Sequence, residues 1–219
     1  MSRASARELA QKHLAAGDAL GWFDVLYQTS DGQPEEIPWA DMAANPNLTE
    51  WFEQSPFRRR GTALVVGAGL GDDAEYLAQL GFGVTAFDIS KTAVAWCKTR
   101  FEQSPVQYSV ADLFHLPVAW KRAFDFVFEA YTLQVLPPEL REKAVGALSE
   151  CVTPGGRLLV ITRGREPEED QGQMPWPLTR GELEQFDDCG LEAVRFEDYF
   201  DSEQPPVRRF RAEFTRTGP

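Results

Sequence analysis

Cysteine, histidine and positive charge are all in short supply in this 219-residue chain. It has three cysteines, two histidines, and 22 lysines and arginines against 34 aspartates and glutamates. Cys97, Cys151 and Cys189 lie far apart with no CxxC pair, which argues against a disulfide framework and against zinc-ligand spacing. Cys97 shares a predicted helix face with Val94 and Phe101 and reads as core. His13 and His115 form no HExxH pattern, so no metal site is expected, and the loop after Asp112 should turn His115 to solvent. The apolar runs, such as Ala63–Val66 and Leu158–Ile161, are far too short to cross a bilayer. The first eight residues lead into an amphipathic helix without the apolar core of a signal peptide, so a cytoplasmic protein is expected. A formal net charge of −12 would repel a phosphate backbone. The basic exceptions are Arg58-Arg59-Arg60, before a strand, and Arg208-Arg209 with Arg211, alternating along one. Both read as solvated edges, and no nucleic-acid partner is expected.

What is present is an ordinary globular composition, 43% hydrophobic and 26% charged, sufficient to bury a core. Residues 1–60 carry three of the six tryptophans (Trp22, Trp39 and Trp51). They read as a helical extension, with helices near 4–16 and 18–27 and a short one near 48–54 after Pro46. From Gly61 onward strands and helices alternate. Strands are predicted at 63–66, 84–88, 106–111, 124–128 and 157–162. Helices are predicted at 72–80, 90–101, 138–152 and 179–189. Such alternation means a parallel sheet covered on both faces. The last two strand-like runs, 191–200 and 207–216, are separated by too few residues for a parallel crossover and must be antiparallel. The expected fold is therefore α/β, a doubly wound, mostly parallel seven-stranded sheet closing in an antiparallel hairpin. The expected division is an N-terminal cap at 1–60 and a main domain at 61–219.

The chemistry centres on Val65-Val66-Gly67-Ala68-Gly69-Leu70-Gly71-Asp72-Asp73. Glycines between strand and helix let a ligand approach the backbone, and the helix start offers unpaired N–H groups. Dinucleotide enzymes use GxGxxG there to cradle a pyrophosphate. The spacing here is GxGxG, and Asp72 and Asp73 at the helix start would repel a pyrophosphate. Two carboxylates suit a ligand bearing a sulfonium and an ammonium instead. Asp88 ends the second strand, where a carboxylate can accept both hydroxyls of a ribose. Asp112, ending the third, can accept from an adenine amino group, although a capping or turn role fits it nearly as well.

On these residues, the chain from about Gly61 to Arg216 resembles the class I S-adenosylmethionine-dependent methyltransferases. The resemblance implies a Rossmann-like fold and S-adenosylmethionine as cofactor. It implies cofactor contacts from Gly67, Ala68 and Gly69, from Asp88 with Ile89, and from Asp112 with Leu113. Glu129-Ala130-Tyr131, after the fourth strand, matches the segment facing the methionine part and the substrate. Ile37-Pro38-Trp39, Asn45-Pro46-Asn47-Leu48 and Gly172-Gln-Met-Pro-Trp-Pro-Leu178 are similar to the thiopurine, thiol and tellurite-resistance methyltransferases. That likeness implies Trp39 over the cofactor and Trp176 in the substrate pocket, with a small-molecule acceptor, possible sulfur nucleophiles among them. Glu129 and Tyr131 are the first candidates for a catalytic base, and Arg163, ending the fifth strand, for steadying an anionic substrate. The acidic segment 163–170 reads either as a solvated loop or as a lid. The place after the fourth strand lacks the Asn/Asp-Pro-Pro-aromatic motif of enzymes acting on amide or exocyclic nitrogens. The readings left beside this one are a protein or peptide methyltransferase, a non-catalytic cofactor-binding protein, and a nicotinamide oxidoreductase that the GxGxG spacing disfavours.

Overall fold

The alternating apolar runs become one seven-stranded sheet in the computed structural model, which describes residues 2–57 and 60–218. The strands are β1 (Gly61–Val66), β2 (Phe82–Asp88), β3 (Gln107–Val110), β4 (Phe124–Ala130), β5 (Val152–Arg163), β6 (Leu191–Phe200) and β7 (Arg208–Arg216). Their order in the sheet is β3-β2-β1-β4-β5-β7-β6. The β2–β3, β1–β4 and β4–β5 pairs are parallel, while β7 is antiparallel to both β5 and β6. The expected Rossmann-like sheet with a terminal antiparallel hairpin is therefore the observed one. The helices are α1 (Arg3–Ala15), α2 (Gly21–Thr29), α3 (Pro46–Gln54), α4 (Asp72–Gln79), α5 (Lys91–Arg100), α6 (Pro138–Cys151) and α7 (Arg180–Asp188). One boundary moves: β5 begins at Val152 and not at Arg157, because α6 passes directly into it and the Phe124–Phe126 register shift absorbs the Gly155-Gly156 turn.

The chain forms two compact units. The first comprises residues Met1–Arg60 and Gly67–Asp112, so the N-terminal helices share a unit with the glycine turn, β2 and β3. Its core gathers Trp22, Leu26, Tyr27, Leu48, Trp51 and Phe52, all essentially inaccessible. The rings of Phe52 and Phe57 pack against Phe82. Asn45 caps α3 by accepting the Asn47 N–H at 3.0 Å, and Pro46 fills the first helical position, where no donor is needed. Asp24 of α2 reaches α5, accepting the Ser90 hydroxyl at 2.8 Å and the Thr92 N–H at 3.0 Å. Ser90 in turn accepts the Ala93 N–H, so one short network caps α5 and ties α2 to it.

The second unit comprises Gly61–Val66 and Leu113–Pro219. Its central strands β4 and β5 are buried on both faces through Phe126, Val127, Phe128 and Leu158–Ile161, as a covered parallel sheet requires, while the edge strand β6 is largely exposed. Thr179 and Glu182 close a reciprocal capping box at the start of α7. The solvated-edge reading fails for β7: Arg209 and Arg211 are 4% and 3% exposed. They are held by Asp201 and Glu203, and by Glu197, respectively. Long guanidinium stems cover the sheet while acids on β6 and its turn neutralise the heads. Arg58 and Arg59 of the other basic stretch lie outside the described residues. Among the described residues no helix is long and apolar enough to cross a membrane, and no three potential ligands cluster as a metal site.

Asp24 supplies both an external cap and a link between helices. Asp24→Ala should lower the unfolding free energy by about 1–2 kcal/mol, seen as a fall in Tm of about 2–8 °C. An unchanged Tm would mean that the link carries no stability.

Candidate active site

The turn from β1 into α4 requires glycine. Gly67, Gly69 and Gly71 have φ of 62°, 55° and 92°, a region that disfavours side chains. A Cβ on Gly71 would also lie 2.6 Å from the Tyr108 hydroxyl and 3.2 Å from Cys97 Sγ. The turn is fastened to β2 twice: Ala68 N–H donates to the Phe87 carbonyl at 2.8 Å, and Gly69 N–H to Asp88 Oδ2 at 2.9 Å. Asp88 is buried, and its Oδ1 accepts the Ser90 N–H at 2.8 Å. Burial pushes this carboxyl up to about 6, against the pull of the Ser90 and Gly69 N–H groups. Ala111 N–H donates to the Asp88 carbonyl at 3.1 Å, which sets Asp112 just past the paired ends of β2 and β3. Gly67, Ala68, Gly69, Asp88, Ile89 and Asp112 thus come together within the first unit.

Trp39 is 39% exposed, and its indole N–H donates to the Tyr27 hydroxyl at 3.0 Å. Tyr27 is wholly buried, and its hydroxyl lies 3.4 Å from where a Cβ on Gly69 would be. Burial, with Asp88 nearby, raises its phenol well above the ordinary tyrosine range. Tyr27 thus lies beside the glycine turn, a placement that sequence reasoning did not single out, since a tyrosine among core residues of an amphipathic helix carries no special signal. Cys97 is buried as expected, with its thiol directed at the Gly69 carbonyl at 3.2 Å and pushed up to about 12 by burial, which leaves it unreactive.

The reading of Asp72 and Asp73 as ligand carboxylates is corrected. Asp72 receives both guanidinium nitrogens of Arg100, at 2.9 and 3.0 Å. Asp73 accepts the Asn45 N–H at 2.6 Å, and burial raises it to about 6. Both are engaged within the chain, across separations no short motif reveals.

In the second unit, Glu129 on β4 is fully buried. Its Oε1 accepts the Thr132 and Leu133 N–H groups at 2.5 and 3.1 Å, and Oε2 has no hydrogen-bond partner. Burial raises this carboxyl to about 7 despite those two donors. A buried carboxyl poised near neutrality with one oxygen uncommitted can give or take a proton. Tyr131 sits in the left-handed region at φ 69°, with its ring 4.9 Å from the Arg209 guanidinium. Arg163 pairs across the sheet with Arg209, and its N–H donates to the Gln134 side chain at 2.7 Å. Trp176 N–H donates to the Gln134 carbonyl at 2.7 Å, and the Arg141 guanidinium lies 5.9 Å from its ring centre. Gln134 therefore joins Arg163 and Trp176, a role invisible in sequence because it acts over a long separation, once by side chain and once by backbone. Leu113 belongs to this unit and is buried; His115 is exposed.

Comparison with known proteins supports one reading of this geometry. A family model described as a methyltransferase domain matches residues 64–160. The chain is 25% identical to a thiopurine S-methyltransferase of Aliivibrio fischeri, over 78% of this chain and 85% of that protein. It is 28% identical to a thiocyanate methyltransferase of Arabidopsis thaliana over 58% of this chain and 57% of that one. In fold it is similar to the Burkholderia thailandensis 1,6-didemethyltoxoflavin-N1-methyltransferase solved with S-adenosylhomocysteine, with TM-score 0.71 and 16% identity over 95% and 91% of the two chains.

The Glu129 carboxyl gives a signed pH prediction. Its folded value of about 7 lies above the ordinary 4.5, so in the unfolded chain it ionises first as pH rises. Stability is then lost between about pH 4.5 and 7 and stays lower above that range. Glu129→Gln removes this loss. Relative to wild type it should gain on the order of 2–3 kcal/mol in urea unfolding between about pH 4 and 8. Parallel pH profiles for the two proteins would show that Glu129 is not raised.

Proposed function

From the premise that the chain carries a class I S-adenosylmethionine-dependent methyltransferase domain, we propose that it methylates a small-molecule acceptor, with thiols or other soft nucleophiles as the preferred class. The observation that carries this reading is the bare glycine turn held by Asp88 at the ends of β1 and β2. The names of the two relatives, a thiopurine and a thiocyanate methyltransferase, support the choice of soft acceptor.

The residues present fit an adenosyl ligand. Each Asp88 oxygen holds one backbone N–H and keeps lone-pair capacity for a ribose hydroxyl. The turn at Gly67, Ala68 and Gly69 exposes little side chain, and we read Ile89 and Asp112, which follow the ends of β2 and β3, with Leu113 next in the chain, as the residues toward the adenine. Trp39 offers an aromatic face suited to a cation. We read residues 1–60 as a cap on a catalytic domain at 61–219. Cysteines that are free, two of them buried, suit a reducing cytoplasmic setting.

S-adenosylmethionine supplies an electrophilic methyl group on a sulfonium. In-line displacement asks the protein mainly for alignment and exclusion of water. Trp176 lines the acceptor, Arg163 steadies an anionic one, and Tyr131 borders it. A thiolate needs no base; for a protonated acceptor, Glu129 takes the proton on its uncommitted Oε2.

In a thermal-shift assay, S-adenosylmethionine and S-adenosylhomocysteine at ~100 times Kd should raise Tm by about 5–10 °C and NAD should not. Asp88→Asn should weaken adenosyl binding about tenfold or more, roughly 1.4 kcal/mol. Tritiated cofactor should then label thiols. Label found only in proteins of a lysate would move the reading to a protein methyltransferase, and binding without any transfer would move it to a non-catalytic binder.

A further inference from the structure

The acidic stretch 163–170 reads either as a solvated loop or as a lid; residues 166–170 are exposed, and the longer Gly164–Leu178 segment that contains most of it is closed on itself by hydrogen bonds. Its ends meet: Arg165 N–H donates to the Leu178 carbonyl and Leu178 N–H to the Arg163 carbonyl, each at 2.9 Å. A segment of this length whose ends touch and whose interior is filled by its own chain is a compact Ω-type loop. The filling is Arg165. Its Nε donates to the Pro177 carbonyl at 3.1 Å, and its Nη1 faces the carbonyls of Glu166, Pro167 and Glu169 at 3.1, 3.3 and 3.1 Å. One guanidinium thus gathers backbone from both arms of the loop.

Arg165 is fixed from the other side by Glu182 of α7, whose Oε2 lies 3.6 Å from Arg165 Nη2. The same carboxylate caps α7 through Thr179, and its Oε1 takes Nη1 of Arg141 at 2.5 Å. Arg141 is 4% exposed and also donates to the Leu136 carbonyl. With the Gln171 amide oxygen turned toward it, Arg141 holds that loop residue as well, at 3.0 and 2.9 Å. Arg141 faces the Trp176 ring, and Trp176 N–H is bound to Gln134. Arg141 is nearly withdrawn from water while Arg165 and Glu182 are partly exposed, at 16% and 23%, so the Arg141 arm is the less screened of the two.

We propose that Glu182, gathering Arg141 and Arg165, is a positioning residue that holds Gly164–Leu178, and Trp176 within it, as a preformed wall for the acceptor. The wall role rests on the small-molecule reading above; the clamp itself does not. A preformed wall contributes to acceptor binding by removing the ordering cost a mobile loop would incur, so its loss should appear in KM before kcat.

The test is hydrogen-exchange mass spectrometry of the full chain beside steady-state kinetics with thiophenol. Arg165→Met should lower protection in peptides spanning 166–177 by about tenfold or more, with β1 and β4 unchanged. Glu182→Gln keeps the cap of α7 and should loosen the same peptides to a smaller degree. Arg165→Met should raise KM for thiophenol about tenfold with kcat near wild type, and leave the Kd for S-adenosylhomocysteine within about twofold. Unchanged exchange in Arg165→Met would overturn the clamp, and looser exchange with an unmoved KM would overturn the wall. A wild-type chain that methylates no small molecule would count against the function proposed above, while the exchange result would still decide the clamp.

Discussion

The hydrogen bond from Gly69 N–H to the Asp88 carboxylate is the joint on which the first unit turns. The glycine turn occupies a left-handed stretch of backbone with little intrinsic preference for one shape. A buried acceptor at the end of β2 selects that shape, and the same carboxylate orients Ser90 at the start of α5. Through Ser90 the order extends to Asp24 and so to α2, which carries Tyr27 back toward the turn. A carboxylate that positions backbone on both sides cannot be replaced by a group of different shape without loosening an entire corner. Its burial carries the usual penalty for a charge withdrawn from water, which is why Asp88 is less acidic than a free aspartate.

The sheet and the glycine turn were legible in sequence because they rest on local signals: strand period, cap residues, and glycines between Val66 and Asp72. The antiparallel ending was legible from loop length alone, since the segment between Phe200 and Val207 cannot carry a crossover. What was not legible depends on partners distant in sequence. Asp72 and Asp73 looked available until Arg100 and Asn45 were brought to them. The basic alternation of β7 looked solvated until β6 supplied Glu197 and Asp201 opposite it. Gln134 and Arg141 carry no motif, and Glu182 is legible only as the second half of a capping box with Thr179; the links among them arise only when the β4–α6 connection, α6 and α7 are folded together.

A chain with a formal charge of −12 also shows how a minority charge is used. Of its few cations, Arg141, Arg209, Arg211 and Arg216 are buried rather than spread over the surface. Arg216 donates to the Ser149 and Val152 carbonyls where α6 ends, a favourable position for a cation at the negative end of a helix. Planar guanidinium groups bind several acceptors at once, so each buried arginine serves as a junction between elements. The excess acid remains available for the outer surface, where it favours solubility.

The strand order has a consequence for how the protein is made. Strands β1 to β5 each find a neighbour among strands already synthesised or soon to follow, but β6 pairs only with β7, which lies between β6 and β5. During N-to-C synthesis on the ribosome, at about 5–20 residues per second, β6 emerges with no edge to join. It must wait until β7 has cleared the exit tunnel and slotted in beside β5. Strand β7 is therefore the keystone of the second unit, and a nascent chain stalled before it would hold β6 unpaired, a sheet edge open to chaperones or to other stalled copies.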